Sequence, residues 1–411
     1  MTARVEVLSE RHDQQLVCVA RDGDDTVGYI AIDSTVGGRA RGGLRLMPDV
    51  DEMEVRGLAR AMTLKYGFLG LPQGGAKAGV RGDPEAPPEA RRARLAAFAR
   101  LVAPVLRSGV FTPDTDMGTT RTDIAHVLAV AGLPAAPRRG SSERSGFYTA
   151  LTVRAAARVA AQAAGLDLAG ASVAIEGFGS VGASLATLLN DVGARVVAVS
   201  TTAGAVYDPS GLDVRELAAL ARSAGSGVVH AYADTRPGVR RLDRAELFAL
   251  PVDVLCPCAR HGSVHEGNAG EVRAQVVAPG ANNPVTPATE RLLLARGVIC
   301  VPDFVANCGG VLGGTMEFAA VSAPTIAEFV DGHFAARAAW LLAEAAHTGE
   351  TIRSVAERLA LARRLSASRP PLWRAPLGKL MGSGLTLYRH GLVPAAVVGR
   401  LSLPYFRRAM A

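Results

Sequence analysis

The sequence contains very little lysine. Of its 45 basic residues three are lysine, and two of these, Lys65 and Lys77, flank a glycine-rich segment. Arginine keeps its charge in any protein environment, whereas a buried lysine can lose its proton near neutral pH and act as a base. Chance could place two lysines together, but the chain uses arginine for almost every other positive charge. We therefore predict that Lys65 and Lys77 belong to an active site.

Cysteine and long apolar segments are also scarce. The five cysteines are few and odd in number, which favours reduced thiols in a cytoplasmic protein over a disulfide framework. Cys256 and Cys258 form a C-x-C pair without a second Cys or His pair at metal-binding spacing, so we predict no metal site. No uncharged apolar run reaches the length of about 18 residues that a membrane helix needs. The first residues do not resemble a signal peptide.

Acidic residues are absent from the C-terminal end. Residues 358–411 hold ten basic residues and no acid, which leaves 35 basic and 38 acidic residues in the first 357, a net charge of −3. A basic segment can bind nucleic acid or an anionic surface, but this one lacks interleaved aromatic residues and any nucleic-acid-binding motif. We predict no nucleic-acid partner. The apolar clusters at residues 392–398 and 403–406 instead predict short helices that pack on the body or on a neighbouring subunit.

The N-terminal part of the chain shows the patterns of a mixed sheet with covering helices. Alternating apolar residues predict strands at residues 15–20 and 27–32. Helical spacing predicts helices at residues 50–65 and 89–106, the first with acidic residues in its first turn. Residues 134–140 are rich in proline and arginine and are predicted to form a hinge segment.

From about Tyr148 the pattern changes to strands that alternate with alanine-rich helices, which is typical of a parallel α/β domain. The predicted strands lie at residues 171–175, 195–200, 252–255, 275–278 and 298–301. Residues 309–359 are predicted to be largely helical.

A glycine motif lies where the first of these strands meets a helix. Gly177-Phe-Gly179-Ser-Val-Gly182 follows the strand at 171–175 and precedes a helix predicted at 181–189. This setting predicts that Gly177, Gly179, Ser180, Val181 and Gly182 hold the pyrophosphate of a dinucleotide at the helix N-terminus. The alternative is an ordinary tight turn, for which glycine is also common.

The next strand ends without the acid that commonly binds the cofactor ribose. Ser200-Thr201-Thr202 carries no carboxylate at this position, so Thr201 is the candidate contact, and NAD and NADP both stay possible.

These patterns together predict an α/β protein of two domains with the active site in the cleft between them. The expected division is a substrate-binding and assembly domain at residues 1–140, a Rossmann-type dinucleotide-binding domain at 141–310, a helical return at 311–359 that packs on the first domain, and a basic extension at 360–411.

Several further segments carry a family resemblance. Leu71-Pro-Gln-Gly-Gly-Ala-Lys77-Ala-Gly-Val-Arg-Gly-Asp83-Pro84 is similar to the signature of the glutamate/leucine/phenylalanine/valine dehydrogenase family. Gly42-Gly43-Leu-Arg45, Asp116-Met-Gly-Thr119, Ala281-Asn282-Asn283 and Pro302-Asp-Phe-Val-Ala-Asn307-Cys-Gly-Gly310 resemble its other landmarks in the same order. The resemblance runs from about residue 27 to residue 345 and leaves out the basic tail.

The resemblance implies reversible oxidative deamination of an L-amino acid with NAD or NADP. Lys65 and the Gly42–Gly43 backbone would hold the substrate carboxylate, and Lys77 would activate the attacking water. Asp116 would move the proton to and from the nitrogen, although Asp114 stands two residues earlier.

The same resemblance gives the cofactor two further contacts in the second domain. Asn282 would hold the nicotinamide amide and Ser145 would contact the nicotinamide. Without the resemblance, Asn282 could equally form an Asx turn before Pro284.

The residues expected around the substrate side chain depart from the family pattern. Arg41 stands where glutamate-specific members have lysine, Gly314 where they have serine, and Asp114 where a small apolar residue is usual. If Arg41 and Asp114 both face the pocket, they could pair, because an isolated buried charge is costly. Alternatively, Arg41 points to solvent. The charged pocket favours a polar or acidic substrate such as glutamate.

Other functions remain open from the sequence. A branched-chain amino acid dehydrogenase and a catalytically silent assembly subunit are the alternatives, and a different Rossmann oxidoreductase is disfavoured by the Asp116 loop and the Pro302–Gly310 segment. The expected partners are an amino acid, ammonium and further copies of the chain in a homo-oligomer, with no membrane.

Overall fold

The computed structural model describes residues 3–9, 16–134, 144–367 and 393–410. The chain divides into two units: unit 1 comprises Met1–Arg138 and Leu359–Ala375, and unit 2 comprises Arg139–Arg358 and Pro376–Ala411. Most of the predicted hinge, residues 135–140, lies outside the described residues. Among the described residues no helix is long and apolar enough to cross a membrane.

The described part of unit 1 contains one sheet and three helices of its own. Its elements are β1 (Ala3–Ser9), β2 (Leu16–Asp22), β3 (Asp25–Ile32), β4 (Ala40–Met47), α1 (Glu52–Phe68), β5 (Gly74–Arg81), α2 (Pro88–Arg107), β6 (Phe111–Thr115) and α3 (Arg121–Val130). The strand order is β1-β2-β3-β5-β4-β6, antiparallel from β1 to β5 and parallel from β5 to β6. The prediction of a mixed sheet is confirmed.

The centre of this sheet depends on glycine. A Cβ on Gly75 of β5 would lie 2.2 Å from the Thr63 backbone nitrogen of α1, and a Cβ on Gly42 of β4 would lie 1.6 Å from the Ala76 carbonyl oxygen. Real side chains cannot approach so closely, so glycine is required for α1 and the neighbouring strand to pack here. Asp51 caps α1 by accepting the Glu54 N–H at 2.8 Å.

Unit 2 contains a seven-stranded sheet flanked by helices. Its elements are α4 (Ser145–Ala163), β7 (Ser172–Glu176), α5 (Ser180–Asp191), β8 (Arg195–Thr201), β9 (Gly204–Tyr207), α6 (Val214–Ala224), α7 (Val228–Thr235), β10 (Arg240–Leu242), β11 (Val254–Pro257), β12 (Val276–Val277), α8 (Pro287–Ala295), β13 (Ile299–Cys300), α9 (Asp303–Ala306), α10 (Gly309–Phe318), α11 (Ala323–Phe329), α12 (Ala335–Thr348), α13 (Ile352–Ala367, which continues into unit 1) and α14 (Ala395–Met410).

The strand order in unit 2 is β10-β9-β8-β7-β11-β12-β13. The five strands β8, β7, β11, β12 and β13 run parallel to one another. The five predicted strands are all present, and the two central ones, β7 and β8, match the predicted limits within one residue. This arrangement confirms the predicted parallel α/β architecture of the Rossmann type.

The position of the helices after residue 309 differs from the expectation. They were predicted to pack on the first domain, but residues up to Arg358 belong to unit 2. The physical reason is the packing of α10 on α4: a Cβ on Gly309 would lie 1.8 Å from the Tyr148 carbonyl oxygen, and one on Gly313 would lie 2.2 Å from the Tyr148 ring. The two helices therefore pack closely enough to form one core.

The described end of the basic tail is also helical. Its helix, α14, buries Val398, Phe406 and Met410 within unit 2. A Cβ on Gly399 would lie 2.5 Å from the Ala320 carbonyl oxygen, so the helix approaches the end of α10 closely. The tail thus packs on the body at its C-terminal end, whereas residues 368–392, which hold the start of one predicted apolar cluster, lie outside the described residues.

Candidate active site

The strands β4, β5 and β6 direct a group of charged residues to one face of the unit 1 sheet. Arg41 of β4 is paired with Gly75 of β5, and Gly43 of β4 with Asp114 of β6. Side chains on alternate residues share a face, and so do paired residues of parallel strands. Because a Cβ on Gly75 would point at α1, the face that carries Arg41, Lys77 and Asp114 is the one that α1 covers.

Lys77 lies at the centre of this face in a buried ion network. Its Nζ is 2.8 Å from Asp116 Oδ2, which also accepts a hydrogen bond from Arg45 Nε at 3.0 Å. Arg45 in turn pairs with Glu54 of α1. The side chain of Lys77 is 4% exposed and that of Asp116 17%, so both charges are largely removed from water.

The network lowers the pKa of both central groups. Burial lowers the pKa of Lys77, and the Arg45 charge lowers it further against the opposing pull of Asp116. Burial alone would raise the pKa of Asp116, but Lys77 and Arg45 outweigh it and lower that pKa to about 2. Asp116 is therefore ionised, and the Lys77 ammonium gives up its proton more readily than an exposed lysine.

The loop after β6 holds Asp116 in place. The Asp116 N–H donates to Thr119 Oγ1 at 3.0 Å, and Thr119 Oγ1 donates to the Leu44 carbonyl oxygen at 2.8 Å. A Cβ on Gly43 would lie 2.7 Å from Asp116 Cβ, and one on Gly118, whose φ is +76°, would lie 2.0 Å from the Leu46 carbonyl oxygen. Glycine at these positions lets the loop and its carboxylate lie directly on β4.

Lys65, predicted as the carboxylate anchor, is buried in the last turn of α1. The α1 helix packs directly on β5, because Thr63 contacts Gly75 two residues before Lys77. The structure thus places both site lysines on elements in direct contact, with the Gly42–Gly43 pair on the adjacent strand.

Arg41 and Asp114 form the pair that the sequence suggested. Arg41 Nη2 donates to Asp114 Oδ2 at 2.5 Å, and their side chains are 41% and 36% exposed. Tyr66, the residue after Lys65, lies beside them: burial raises its pKa to about 12, with Arg41 and Asp114 acting in opposite directions. The residue pattern alone leaves Asp114 and Asp116 as candidates and the family resemblance favours Asp116; the structure gives each carboxylate a different cation.

The glycine motif of unit 2 forms the expected strand–turn–helix. Gly177 has a φ of +90°, and a Cβ on Gly182 would lie 1.9 Å from the Gly177 carbonyl oxygen, so both positions require glycine. A Cβ on Gly179, the N-terminal cap of α5, would meet nothing within 4 Å. The α5 N-terminus, opened by Ser180, Val181 and Gly182, therefore faces open space, which fits the pyrophosphate of a dinucleotide.

The starts of two more helices lie next to this N-terminus. A Cβ on Gly146 of α4 would lie 2.9 Å from Ser180 Oγ, and one on Gly310 of α10 would lie 2.8 Å from Ser145 Oγ. Ser145 is thus between the starts of α5 and α10, on the side where the cofactor is expected. Gly314 lies one turn further along α10, half-buried in unit 2.

Asn282 and Thr201 are both held by neighbouring groups. Asn307 Nδ2 donates to Asn282 Oδ1 at 3.2 Å and to the Ala281 carbonyl oxygen at 2.7 Å. Thr201 Oγ1 donates to the Ser226 carbonyl oxygen at 2.6 Å. Since the Thr201 proton is engaged, the exposed Thr202 is the freer hydroxyl at the end of β8.

Sequence reasoning missed several residues that the structure adds. Arg45 was visible in a quoted motif but had no role, and Glu54 looked like an ordinary acid in the first turn of a helix. Glu176, the last residue of β7, is buried, which raises its pKa, and its Oε2 accepts the Ala259 N–H at 3.3 Å. No local pattern identifies these residues, because their partners lie on other elements, between 9 and 83 residues away in the chain.

Comparison with known proteins gives two matching family profiles. The profile described as "Glu/Leu/Phe/Val dehydrogenase, dimerisation domain" matches residues 13–130, and the profile described as "Glutamate/Leucine/Phenylalanine/Valine dehydrogenase" matches residues 140–363. The chain is 36% identical over 306 residues to glutamate dehydrogenase of Thermotoga maritima, covering 71% of this chain and 72% of the relative. It is 35% identical over 305 residues to NAD-specific glutamate dehydrogenase of Staphylococcus aureus, covering 71% and 72%.

Solved structures of two dehydrogenases are similar in fold to this chain. Hetero-hexameric glutamate dehydrogenase from Thermus thermophilus in its Leu-bound form is similar with a TM-score of 0.72 and 29% identity, covering 89% of this chain and 88% of that chain. L-Tryptophan dehydrogenase from Nostoc punctiforme has the same fold, with a TM-score of 0.58 and 22% identity over 89% of this chain and 96% of that one.

Proposed function

The chain belongs to the glutamate/leucine/phenylalanine/valine dehydrogenase family, and we propose that it oxidatively deaminates a polar or acidic L-amino acid such as glutamate. As a member of this family it is an oxidoreductase that acts on the CH–NH2 group of amino acids with NAD or NADP. We also propose which residues bind the substrate and transfer protons, and that the chain assembles with copies of itself.

The buried contact between Lys77 and Asp116 is the observation that carries the residue assignment. A lysine with a lowered pKa and an ionised carboxylate at 2.8 Å can hold and exchange one proton away from bulk water. The alternative, a purely structural ion pair, would not need lysine in a chain that otherwise uses arginine.

The proposed reaction divides between these groups. Lys65 and the Gly42–Gly43 backbone bind the substrate carboxylate, and Asp116 accepts a proton from the substrate amine. With NAD or NADP bound, the α-carbon would lose its hydride to the cofactor, which converts the substrate amine to an iminium. Lys77 then removes a proton from the water that attacks the iminium carbon, and Asp116 returns its proton to the nitrogen of the carbinolamine that forms. The carbinolamine hydroxyl loses its proton as the C–N bond breaks and ammonia leaves. Of this proton and the one held by Lys77, one converts ammonia to ammonium and the other is released. The products are the 2-oxo acid, ammonium, the reduced cofactor and one proton.

The charges around the pocket support a polar substrate. Arg41 and Asp114 place a donor and an acceptor half-exposed on the face that carries Lys77. Burying this pair against an aliphatic side chain would desolvate both charges, a cost that their mutual attraction repays only in part. The names of the Thermotoga maritima and Staphylococcus aureus relatives, both glutamate dehydrogenases, favour glutamate within this class.

For the cofactor and the assembly we propose a general class rather than one named species. The end of β8 offers Thr201 and Thr202 rather than a carboxylate, so we expect modest discrimination between NAD and NADP. The dimerisation-domain profile over residues 13–130 indicates that the chain assembles with other subunits, and we propose copies of the same chain.

A substrate screen tests the proposal. The purified protein is offered each protein amino acid and the common non-protein ones, with NAD and NADP separately, and reduction of the cofactor is followed by absorbance. We expect glutamate or another polar amino acid to give the highest kcat/KM. Arg41→Leu combined with Asp114→Ala, which removes both charges together, should move the preference toward aliphatic amino acids.

Two results would contradict the proposal. If the unaltered protein prefers leucine or valine, the Arg41–Asp114 pair does not contact the substrate. If it oxidises no amino acid, the assembly-subunit alternative is favoured instead.

A further inference from the structure

The residue after Asn282 has an unusual backbone conformation. Asn283 has a φ of +50°, in the left-handed region that non-glycine residues rarely adopt. Its N–H donates to Asp303 Oδ2 at 2.9 Å, and its carbonyl oxygen accepts the Gly262 N–H at 3.0 Å. A strained residue of this kind persists only when its surroundings hold it.

The short helix α9 contacts this turn from both of its ends. Asp303 at its start accepts the Asn283 N–H, and Asn307, directly after its end, donates to Asn282 Oδ1 and to the Ala281 carbonyl oxygen. The position of α9 therefore determines where the Asn282 side chain and the Asn283 backbone lie.

One guanidinium fixes α9. Arg353 Nη2 donates to Asp303 Oδ1 at 2.9 Å and to Glu290 Oε1 at 2.7 Å, and Arg353 Nε donates to Glu290 Oε2 at 2.7 Å. The Arg353 side chain is 13% exposed, Glu290 9% and Asp303 2%, and the guanidinium carbon lies 5.5 Å from the centre of the Phe304 ring. Arg353 thus joins the first turn of α13 to α8 and α9 in a largely buried cluster.

We propose that Arg353 is a positioning residue for Asn282, because through Asp303 it holds the strained turn that carries the proposed nicotinamide contact. The identity of the ligand that this turn binds rests on the proposed function. The hydrogen bonds that lead from Arg353 through Asp303 to Asn283 do not depend on it. Arg353 contacts neither substrate nor cofactor in this scheme, and no part of the reaction passes through it.

The geometry explains why arginine is needed at this position. Its planar fork makes two bonds to Glu290 and still reaches Asp303, which the single ammonium of lysine cannot reproduce. Without a cation, the two buried carboxylates would repel each other, and Asp303 would give up its position or its charge. Movement of Asp303 would take the acceptor away from the Asn283 N–H, and protonation of Asp303 would leave it only a weaker, neutral acceptor.

The test compares three variants of the full chain. Arg353→Met removes the cation, Arg353→Lys keeps the charge without the fork, and Arg358→Met is the control on the same helix, since the Arg358–Glu350 pair is exposed. Hydrogen exchange at the Asn283 amide is the first measurement, because that N–H donates directly to Asp303. The KM for the nicotinamide cofactor and kcat are the second.

We expect Arg353→Met to expose the Asn283 amide to exchange and to raise the cofactor KM by roughly tenfold or more, as a small misplacement of a binding group does. Arg353→Lys should fall between Arg353→Met and the unaltered protein, and Arg358→Met should match the unaltered protein in both measurements. A lowered melting temperature with unchanged Asn283 exchange and unchanged kinetics would overturn the positioning role.

The exchange measurement does not depend on activity. If the unaltered protein oxidises no amino acid, the proposed function fails, yet faster exchange at Asn283 in Arg353→Met would still support the positioning of this turn. Unchanged exchange in that variant would overturn it whatever the activity.

Discussion

At the scale of single residues, the proposed chemistry depends on an amine that is buried next to an ionised carboxylate. The scarcity of lysine identified Lys77, and the structure gives it Asp116 as its partner at 2.8 Å. Arginine at this position could form the same ion pair but could not lose its proton, because the guanidinium pKa is too high. Lysine at this position is therefore explained by the proposed proton transfer, since arginine would supply the positive charge equally well.

Replacing Lys77 with arginine tests that statement. Lys77→Arg keeps the positive charge but removes the group that can be deprotonated, so kcat should fall by about three orders of magnitude or more. The comparison is Lys65→Ala, which should mainly raise the substrate KM because it removes a carboxylate anchor from ground state and transition state alike. Steady-state kinetics on both variants check this. Near-normal turnover in Lys77→Arg would remove Lys77 from the mechanism.

The lowered pKa of Lys77 also predicts how the rate depends on pH. In the proposed mechanism the neutral amine is the active form, so kcat/KM for oxidation should rise with pH through the pKa of Lys77. Asp116, with a pKa of about 2, stays ionised throughout and adds no ionisation there. Glu54 raises the pKa of Lys77. Glu54→Gln should therefore lower it further and move the rising part of the profile to lower pH.

A neighbouring acid provides the control for this shift. Glu52 stands in the same turn of α1 but pairs with Arg56, so Glu52→Gln should leave the profile unchanged. A shift to higher pH in Glu54→Gln would mean that the titrating group is not the Lys77 amine.

The residue scale also shows the limit of sequence reasoning about the site. Lys77, Asp116 and Asn282 came from motifs, but Arg45 and Glu54 did not, since an arginine in a strand and an acid at the start of a helix have common structural roles. Their importance arises only when β4 and α1 pack together. Long-range pairing of this kind leaves no periodic signal in the sequence.

At the scale of elements, clear periodicity explains the successful predictions, whereas glycine and proline explain why the central strands of unit 1 were missed. The helices α1 and α2 and the strands β7 and β8 follow from clear periodicity. The strands β4, β5 and β6 were not predicted, because glycine and proline are poor strand formers by propensity. Glycine is present in β4 and β5 because Thr63, Ala76 and Asp116 approach the backbone too closely for any side chain.

Two glycines of the motif in unit 2 should respond differently to the same substitution. Gly182→Ala would place a Cβ 1.9 Å from the Gly177 carbonyl oxygen, so the contact between α5 and β7 must open and the protein should lose stability. Gly179→Ala has room for its Cβ in the protein, but that methyl group would occupy the space where the pyrophosphate should approach.

Melting curves and cofactor titrations of the two variants separate these effects. We expect Gly179→Ala to melt like the unaltered protein and to bind the cofactor roughly tenfold or more weakly, whereas Gly182→Ala should melt at a lower temperature. Unchanged cofactor affinity in Gly179→Ala would show that the dinucleotide does not use the α5 N-terminus.

At the scale of the whole molecule, the sequence predicted two α/β units with the last helices on the first domain, whereas residues 309–358 group with unit 2 and α13 enters unit 1 at Leu359. Composition and periodicity predict that residues 309–359 are helical, but they do not predict against which element each helix packs. For α10 the packing partner is decided by Gly309 and Gly313, because these small residues let the helix pack against Tyr148 of α4 in unit 2. The basic tail was predicted to pack through apolar faces, and its described helix does so.

The last prediction concerns the stabilising role of that helix. On α14, Phe406 is 3% exposed and Leu401 is 74% exposed, so the same helix offers a buried and an exposed side chain for comparison. Phe406→Ala should cost about 3–5 kcal/mol of unfolding free energy in unit 2, as truncation of a buried aromatic ring does. Leu401→Ala should change it by less than about 0.5 kcal/mol. Denaturant unfolding checks both values, and light scattering shows whether the assembly survives. If Leu401→Ala dissociates the assembly while Phe406→Ala unfolds at the normal denaturant concentration, the helix serves contacts between subunits rather than the stability of its own unit.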